Sequence, residues 1–149
     1  MQKKCKFCHL IYEGNLFKNE INGKVITLTA GGDCKTADTV YAARCKICKL
    51  IYVGETKKSL GNRFGGHRYD ANSRPENCEL SAHVDKEGHE FDKDIEVVIL
   101  KQGFKSTNER KYWEDKFICQ LGTYSPTGLI EKLGAYAKDM YSLYQDLDC

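Results

Sequence analysis

Four side chains suited to phosphate chemistry stand within one short stretch of this chain: Tyr41, Tyr52, Arg63 and His67. Tyr41 and Tyr52 each fall in a strand-like run, residues 39–44 and 50–53, and the two runs flank a tight Cys45-Lys-Ile-Cys48 turn. Arg63 and His67 are four positions apart and share one face if residues 57–68 are helical. A guanidinium offers a planar pair of donors to phosphate oxygens. A phenol and an imidazole can move protons beside it. Each residue also has an ordinary reading. Strand tyrosines usually pack, and Arg63 and His67 fit an exposed helix face. Joint order and spacing, not any one residue, point to a phosphodiester.

The cysteines suggest a second kind of chemistry. The chain has 8 of them, an unusual number without a secretory signal. Cys5 and Cys8 form one C-x-x-C and Cys45 and Cys48 another, so zinc is expected before disulfides. His83 and His89 would complete a Cys2His2 site, although their spacing is slightly wide and also fits exposed loop histidines. Cys34, with His9 as a fourth ligand, would join Cys5 and Cys8 in a second site. The segment Cys5-Lys-Phe-Cys8-His-Leu-Ile-Tyr echoes Cys45-Lys-Ile-Cys48-Lys-Leu-Ile-Tyr, so both read as Cys-turn elements. Cys78, Cys119 and Cys149 read as thiols without function.

The elements that would position these groups form a small mixed α/β pattern. Short strands are expected at 10–13 and 24–29, joined by an Asn22-Gly23 turn. After the tyrosine hairpin comes the helix at 57–68, weakened by Gly61, Gly65 and Gly66. A loop with Pro75, a short helix at 79–84 and a strand at 95–100 follow. Residues 107–121 have the clearest helical period. A terminal helix could run over 129–147. The expected division is a Cys-rich, zinc-knuckle-like extension at 1–38, a main domain at 39–132 and a helical tail at 133–149.

Composition sets outer bounds. No apolar run reaches the roughly 20 residues needed to span a bilayer, and no signal-peptide core follows the first residues, so an intracellular protein is expected. The net charge of +2 conceals an asymmetry. Residues 1–69 hold 13 Lys/Arg against 5 Asp/Glu, and residues 70–149 hold 10 against 16. A basic half suits a polyanionic partner. Acidic helices in the second half and no partner for the first fit equally well.

The tyrosine stretch resembles the GIY-YIG endonuclease core, with Thr39-Val40-Tyr41 in place of Gly-Ile-Tyr and Tyr52-Val53-Gly54 in place of Tyr-Ile-Gly. The resemblance covers about residues 39–132. It implies a three-stranded antiparallel sheet flanked by helices, with Tyr41, Tyr52, Arg63 and His67 in the active site. The family's metal-binding glutamate falls at Glu114, before Phe117-Ile118. An i,i+4 ion pair with Arg110 would explain Glu114 without a metal. The C-x-x-C between the tyrosine motifs and the two downstream histidines look most like the endonuclease domain of Penelope-like retroelements. That resemblance strengthens zinc at Cys45, Cys48, His83 and His89, and Cys5, Cys8 and Cys34 look like the leading segment of that subgroup. In two places the chain departs from the family pattern: Thr39 replaces a glycine, and Ile130 stands where asparagine is frequent and cannot hydrogen-bond.

These resemblances imply a Mg²⁺- or Mn²⁺-dependent DNA endonuclease with structural Zn²⁺. It would nick target DNA for retroelement insertion, in a nuclear setting and beside or within a reverse transcriptase. Tyr41 would be the general base, its pKa lowered by Lys57, Arg63 and the metal, with His67 assisting. A nucleic-acid-binding module without catalysis and a protein-interaction zinc domain are the alternatives.

Overall fold

The computed structural model describes residues 7–28, 31–125, 128–131 and 134. Its centre is a three-stranded antiparallel sheet in the order β4-β3-β5. Here β3 is Thr39–Cys45, β4 is Ile51–Thr56 and β5 is Ile95–Gln102. Every residue of β3 except Arg44 is buried, because layers cover both faces of the strand. Tyr41, Ala43, Cys45, Val97 and Ile99 face one layer. Val40, Ala42, Val98 and Leu100 face the other. That is the period-two alternation of a pleated sheet.

The ladder between β3 and β5 slips once. Val40 pairs with Lys101 and Tyr41 with Ile99, which leaves Leu100 without a partner. A bulge of this kind bends the strand and re-aims the side chains beside it. It lies at Tyr41.

The first layer contains α1, Leu60–Ser73, and α2, Glu79–Lys86. The buried residues of α1 are Leu60, Phe64, His67 and Ala71, a single stripe at helical spacing. That stripe holds the helix together despite three glycines. Ser59 caps it by accepting from the Asn62 amide at 3.3 Å. The expected helix at 57–68 therefore starts later and runs on through 69–73. Thr56 Oγ1 turns the chain first by accepting from Lys58 N at 3.0 Å, and Pro75 opens a separate 3-10 turn.

The second layer is α4, Thr107–Leu121, where the sequence predicts it. Ser106 caps its start. Gly122 closes its end with a left-handed φ of 63°. A short hairpin, β1 (Leu16–Lys18) with β2 (Val25–Thr27), completes that closure. The Asn19 and Asn22 amides each donate to Leu121 O, at 2.8 and 2.9 Å. A Cβ on Gly122 would lie 2.6 Å from Asn22 Nδ2, a second reason for glycine there.

The hairpin differs from the sequence expectation in register. Residues 8–10 form a 3-10 turn, Ile11 bridges Val97 in parallel, and the first strand is 16–18. Phe17, 1% exposed, anchors that strand, and Leu10 is drawn into the other core cluster instead. Phe7 and Cys34 share that cluster with Tyr41, so this part of 1–38 packs on the sheet. A one-turn helix, α3 (Phe91–Asp94), leads into β5. The four helices and three-stranded sheet form a mixed α+β fold among the described residues.

Of the expected terminal helix at 129–147, residues 135–147 lie outside the described residues. Residues 129–131 are not helical: Ile130 bridges Tyr124, and Leu129 N donates to Ile51 O at 3.0 Å. No described helix is long and apolar enough to cross a membrane.

Candidate active site and metal cluster

Tyr41 is fully buried on the central strand, and its hydroxyl lies 2.8 Å from His67 Nε2. His67 projects from the buried stripe of α1 and is itself 0% exposed. Arg63, one turn earlier, lies beside the Tyr41 and Tyr52 phenols. An arginine has only donors, so the Tyr41 oxygen turns a lone pair to Arg63, which leaves its O–H free to donate to His67 Nε2. The neutral tautomer with bare Nε2 satisfies that direction. His67 Nδ1 is buried without a partner among the described residues.

The rings pack around this contact. The Tyr41 and Tyr52 centroids are 6.4 Å apart, and the His67 ring stands edge-on to Tyr52 at 5.8 Å. Opposite Tyr41 in the ladder is Gly54. A Cβ there would lie 2.5 Å from the Tyr41 hydroxyl and 2.9 Å from the Tyr52 ring. Only glycine lets the two phenols approach across the pair.

Burial governs protonation here. His67 is pushed down to about 3, by desolvation first and then by Arg63, so the imidazole is neutral. Burial raises the Tyr41 phenol, and Arg63 only partly opposes it. Among the protein's own cations, Arg63 lowers the phenol but does not outweigh burial. Lys57 is exposed and takes no part. Tyr52 is raised as well, by burial and then by Tyr41. Burial works against the charge on Arg63, but the two phenols outweigh it and the guanidinium stays charged.

Glu114 lies on α4, on the opposite layer from His67, yet Arg63 acts on it electrostatically. Its carboxyl is raised to about 8, by burial first, then by Glu55 and Asp115. No described group hydrogen-bonds or ion-pairs with it. The alternative reading of Glu114, an ion pair with Arg110, is not formed, because Arg110 reaches Glu55 and Asp38 instead. A half-buried carboxylate among other acids, without a hydrogen bond or ion pair among the described residues, fits a hard divalent cation, which would restore its charge.

The second constellation forms at the other end of β3. Cys45 ends the strand, Cys48 follows in the turn, His83 is on α2, and His89 follows the left-handed Gly88. Their ligand atoms all lie within 4.8 Å of one another. A tetrahedral zinc with bonds of about 2.0–2.3 Å places ligand atoms roughly 3.3–3.8 Å apart. Cys48 Sγ and His89 Nε2 are 3.3 Å apart, and the Cys48 amide donates to Cys45 Sγ at 3.3 Å. His83 Nε2 is buried without a hydrogen-bond partner among the described residues. His89 Nδ1 lies 4.0 Å from Asp94 Oδ2, too far for a hydrogen bond. Burial and Cys45 raise the Cys48 thiol; burial and His89 lower His83. A dication reverses the thiol's preference for its neutral form. These residues fit zinc.

The second zinc set is not assembled among the described residues. Cys34 is disulfide-bonded, so it has no thiolate to give a metal. His9 Nε2 bonds the Asp92 carbonyl at 3.0 Å. Cys5 and the Cys8 side chain lie outside the described residues. The Cys/His cluster of this protein is thus at 45–89, not in an N-terminal knuckle.

Three features escaped the sequence reading. Cys78, taken as an idle thiol, lies against Tyr52. Arg110 is a buried clamp, not a surface partner of Glu114. Ile130, 6% exposed, packs in the core under α4. The single signal available was an arginine amid the otherwise polar start of α4.

Paired phenols on neighbouring strands, a charged arginine on α1 and a carboxylate on α4 define a phosphodiester-cleaving class of site. The chain belongs to the GIY-YIG catalytic domain family, whose family model matches residues 38–125. It is accordingly a nuclease, a phosphodiester hydrolase with a nucleic-acid substrate, and the family uses a divalent metal. No curated protein and no solved structure matches the chain.

Proposed function

We propose that the chain is a metal-dependent DNA endonuclease in which Tyr41 is the general base and His67 its proton acceptor. The 2.8 Å contact between the Tyr41 hydroxyl and His67 Nε2 carries the reading. A raised phenol is a poor base at rest, so it takes a proton from water only as it passes its own to His67. The imidazole becomes cationic for that moment, the water oxygen attacks phosphorus, and a bridging P–O bond breaks, its oxygen leaving as an alkoxide that takes a proton from solvent. Arg63 donates to the non-bridging oxygens, where charge develops. Tyr52 orients the phosphate or the water. Glu114 would hold the divalent cation, which supplies Lewis-acid stabilisation of the same phosphate. Cys45, Cys48, His83 and His89 would hold one structural zinc.

The finer role, nicking target DNA for retroelement insertion, rests on the Cys2His2 cluster lying between and after the tyrosine motifs. The deciding measurement is cleavage of supercoiled plasmid with Mg²⁺ or Mn²⁺, wild type beside Glu114→Ala. Nicked circles from wild type and at least a hundredfold less, about 3 kcal/mol of transition-state stabilisation, from Glu114→Ala are expected. Equal nicking rates would sink the metal assignment. DNA bound but never cut would favour a binding module.

A further inference from the structure

Arg110 lies one helical turn before Glu114 on α4 and is 4% exposed, yet it neither hydrogen-bonds nor ion-pairs with Glu114. Each edge of its guanidinium is taken elsewhere. Nε donates to Glu55 Oε2 at 2.8 Å, Nη1 to Asp38 Oδ1 at 3.0 Å, and Nη2 to Thr107 Oγ1 at 2.8 Å. Lys111 Nζ approaches the other oxygen of Glu55, at 3.7 Å. Glu55 is on β4, three residues beyond Tyr52, and its charge is felt by Glu114. Glu55 and Glu114 therefore act on one another electrostatically, and one oxygen of Glu55 is held by arginine.

We propose that Arg110 is a positioning residue that keeps Glu55 occupied, so that Glu114 alone meets the divalent cation. This rests on the reading of Glu114 as the metal ligand. Three acceptors in three directions match a planar fork, and a lysine cannot serve them. With Glu55 released, a cation held by Glu114 would meet more negative charge, and Glu55 would compete with the phosphate for it. Binding and turnover then move in opposite directions.

The test uses the full chain with zinc loaded in its Cys/His cluster, measuring Mn²⁺ affinity and plasmid nicking in parallel. Arg110→Gln is expected to bind Mn²⁺ about threefold or more tightly and to nick about tenfold more slowly at saturating Mn²⁺. Glu55→Gln keeps its shape and an oxygen for Arg110 but leaves the arginine's charge uncompensated. It is expected to bind Mn²⁺ about threefold more weakly. The double variant should return affinity close to wild type. A purely structural clamp would weaken both single variants together, and that result, or no change in either, overturns the proposal. Should Arg110→Gln fail to fold, the affinity of Glu55→Gln still decides: an unchanged or tighter value is fatal. Glu114→Ala separates the two levels. If it binds Mn²⁺ as wild type does, the metal reading itself is wrong and this inference falls with it. If it loses Mn²⁺ while the single variants weaken together, only the role of Arg110 is lost.

Discussion

Tyr41 and His67 are two fully buried polar side chains joined by one hydrogen bond, so each depends on the other. Tyr41→Phe removes the proton path and leaves His67 Nε2 unpaired. Nicking should fall about 10²- to 10⁴-fold and stability by about 1–3 kcal/mol, with DNA affinity unchanged; full nicking by the variant would exclude Tyr41 as base. His67 also makes the fold acid-sensitive. It titrates at about 3 when folded against an ordinary 6.5, so between those values only the unfolded chain carries the proton. Its contribution is complete above pH 6.5 and is lost as pH falls toward 3. His67→Gln keeps an acceptor and cannot titrate, so its melting temperature should decline less between pH 7 and pH 4.5. Parallel declines would show that His67 is not the cause. The chemistry of these residues was legible because types and spacing survive in sequence. Their protonation was not. The lysine at 57 and the arginine at 63 suggest a lowered phenol, whereas burial, which no spacing reveals, raises it.

At the scale of elements, the Cys/His cluster ties the β3–β4 turn to α2, and α2 in turn leans on the site. Ser81 Oγ donates to His67 O at 3.1 Å, and Cys78 at the start of α2 lies against Tyr52. Cys48→Ser should release zinc and lower the melting temperature, since a closed site contributes folding free energy. Nicking should fall only in proportion to the folded fraction. Metal analysis and a thermal melt check it: zinc retained at one equivalent by the variant would refute the ligand set. The strands expected at 39–44 and 50–53 lie at 39–45 and 51–56, and the helix at 107–121 was legible from its period. The segment at 10–13 was not, because Leu10-Ile11-Tyr12 looks like a strand but is split between a core contact and a bridge to Val97. The paired cysteines at 45 and 48 announced their cluster, and their echo at 5 and 8 misled, since Cys34 is in a disulfide.

Over the whole molecule, the excess of Lys/Arg in residues 1–69 predicts a polyanion grip that does not depend on catalysis. DNA affinity of Glu114→Ala should fall steeply between 50 and 200 mM salt. The logarithmic slope should be near 0.9 per phosphate contacted. Affinity indifferent to salt would remove the electrostatic footprint.

The closure of α4 carries a kinetic consequence. The amides that finish this helix come from Asn19 and Asn22, 102 and 99 positions away from Leu121. Local contacts form in microseconds, but a pairing across about a hundred residues waits for the chain between to be gathered in. The last turn of α4 therefore frays until the rest has condensed, and the hairpin at 16–27 acts as a latch set late. Refolding should be slower than a helix of this length suggests. Asn19→Ala should mainly speed unfolding and leave the folding rate nearly unchanged, the signature of a contact absent from the transition state.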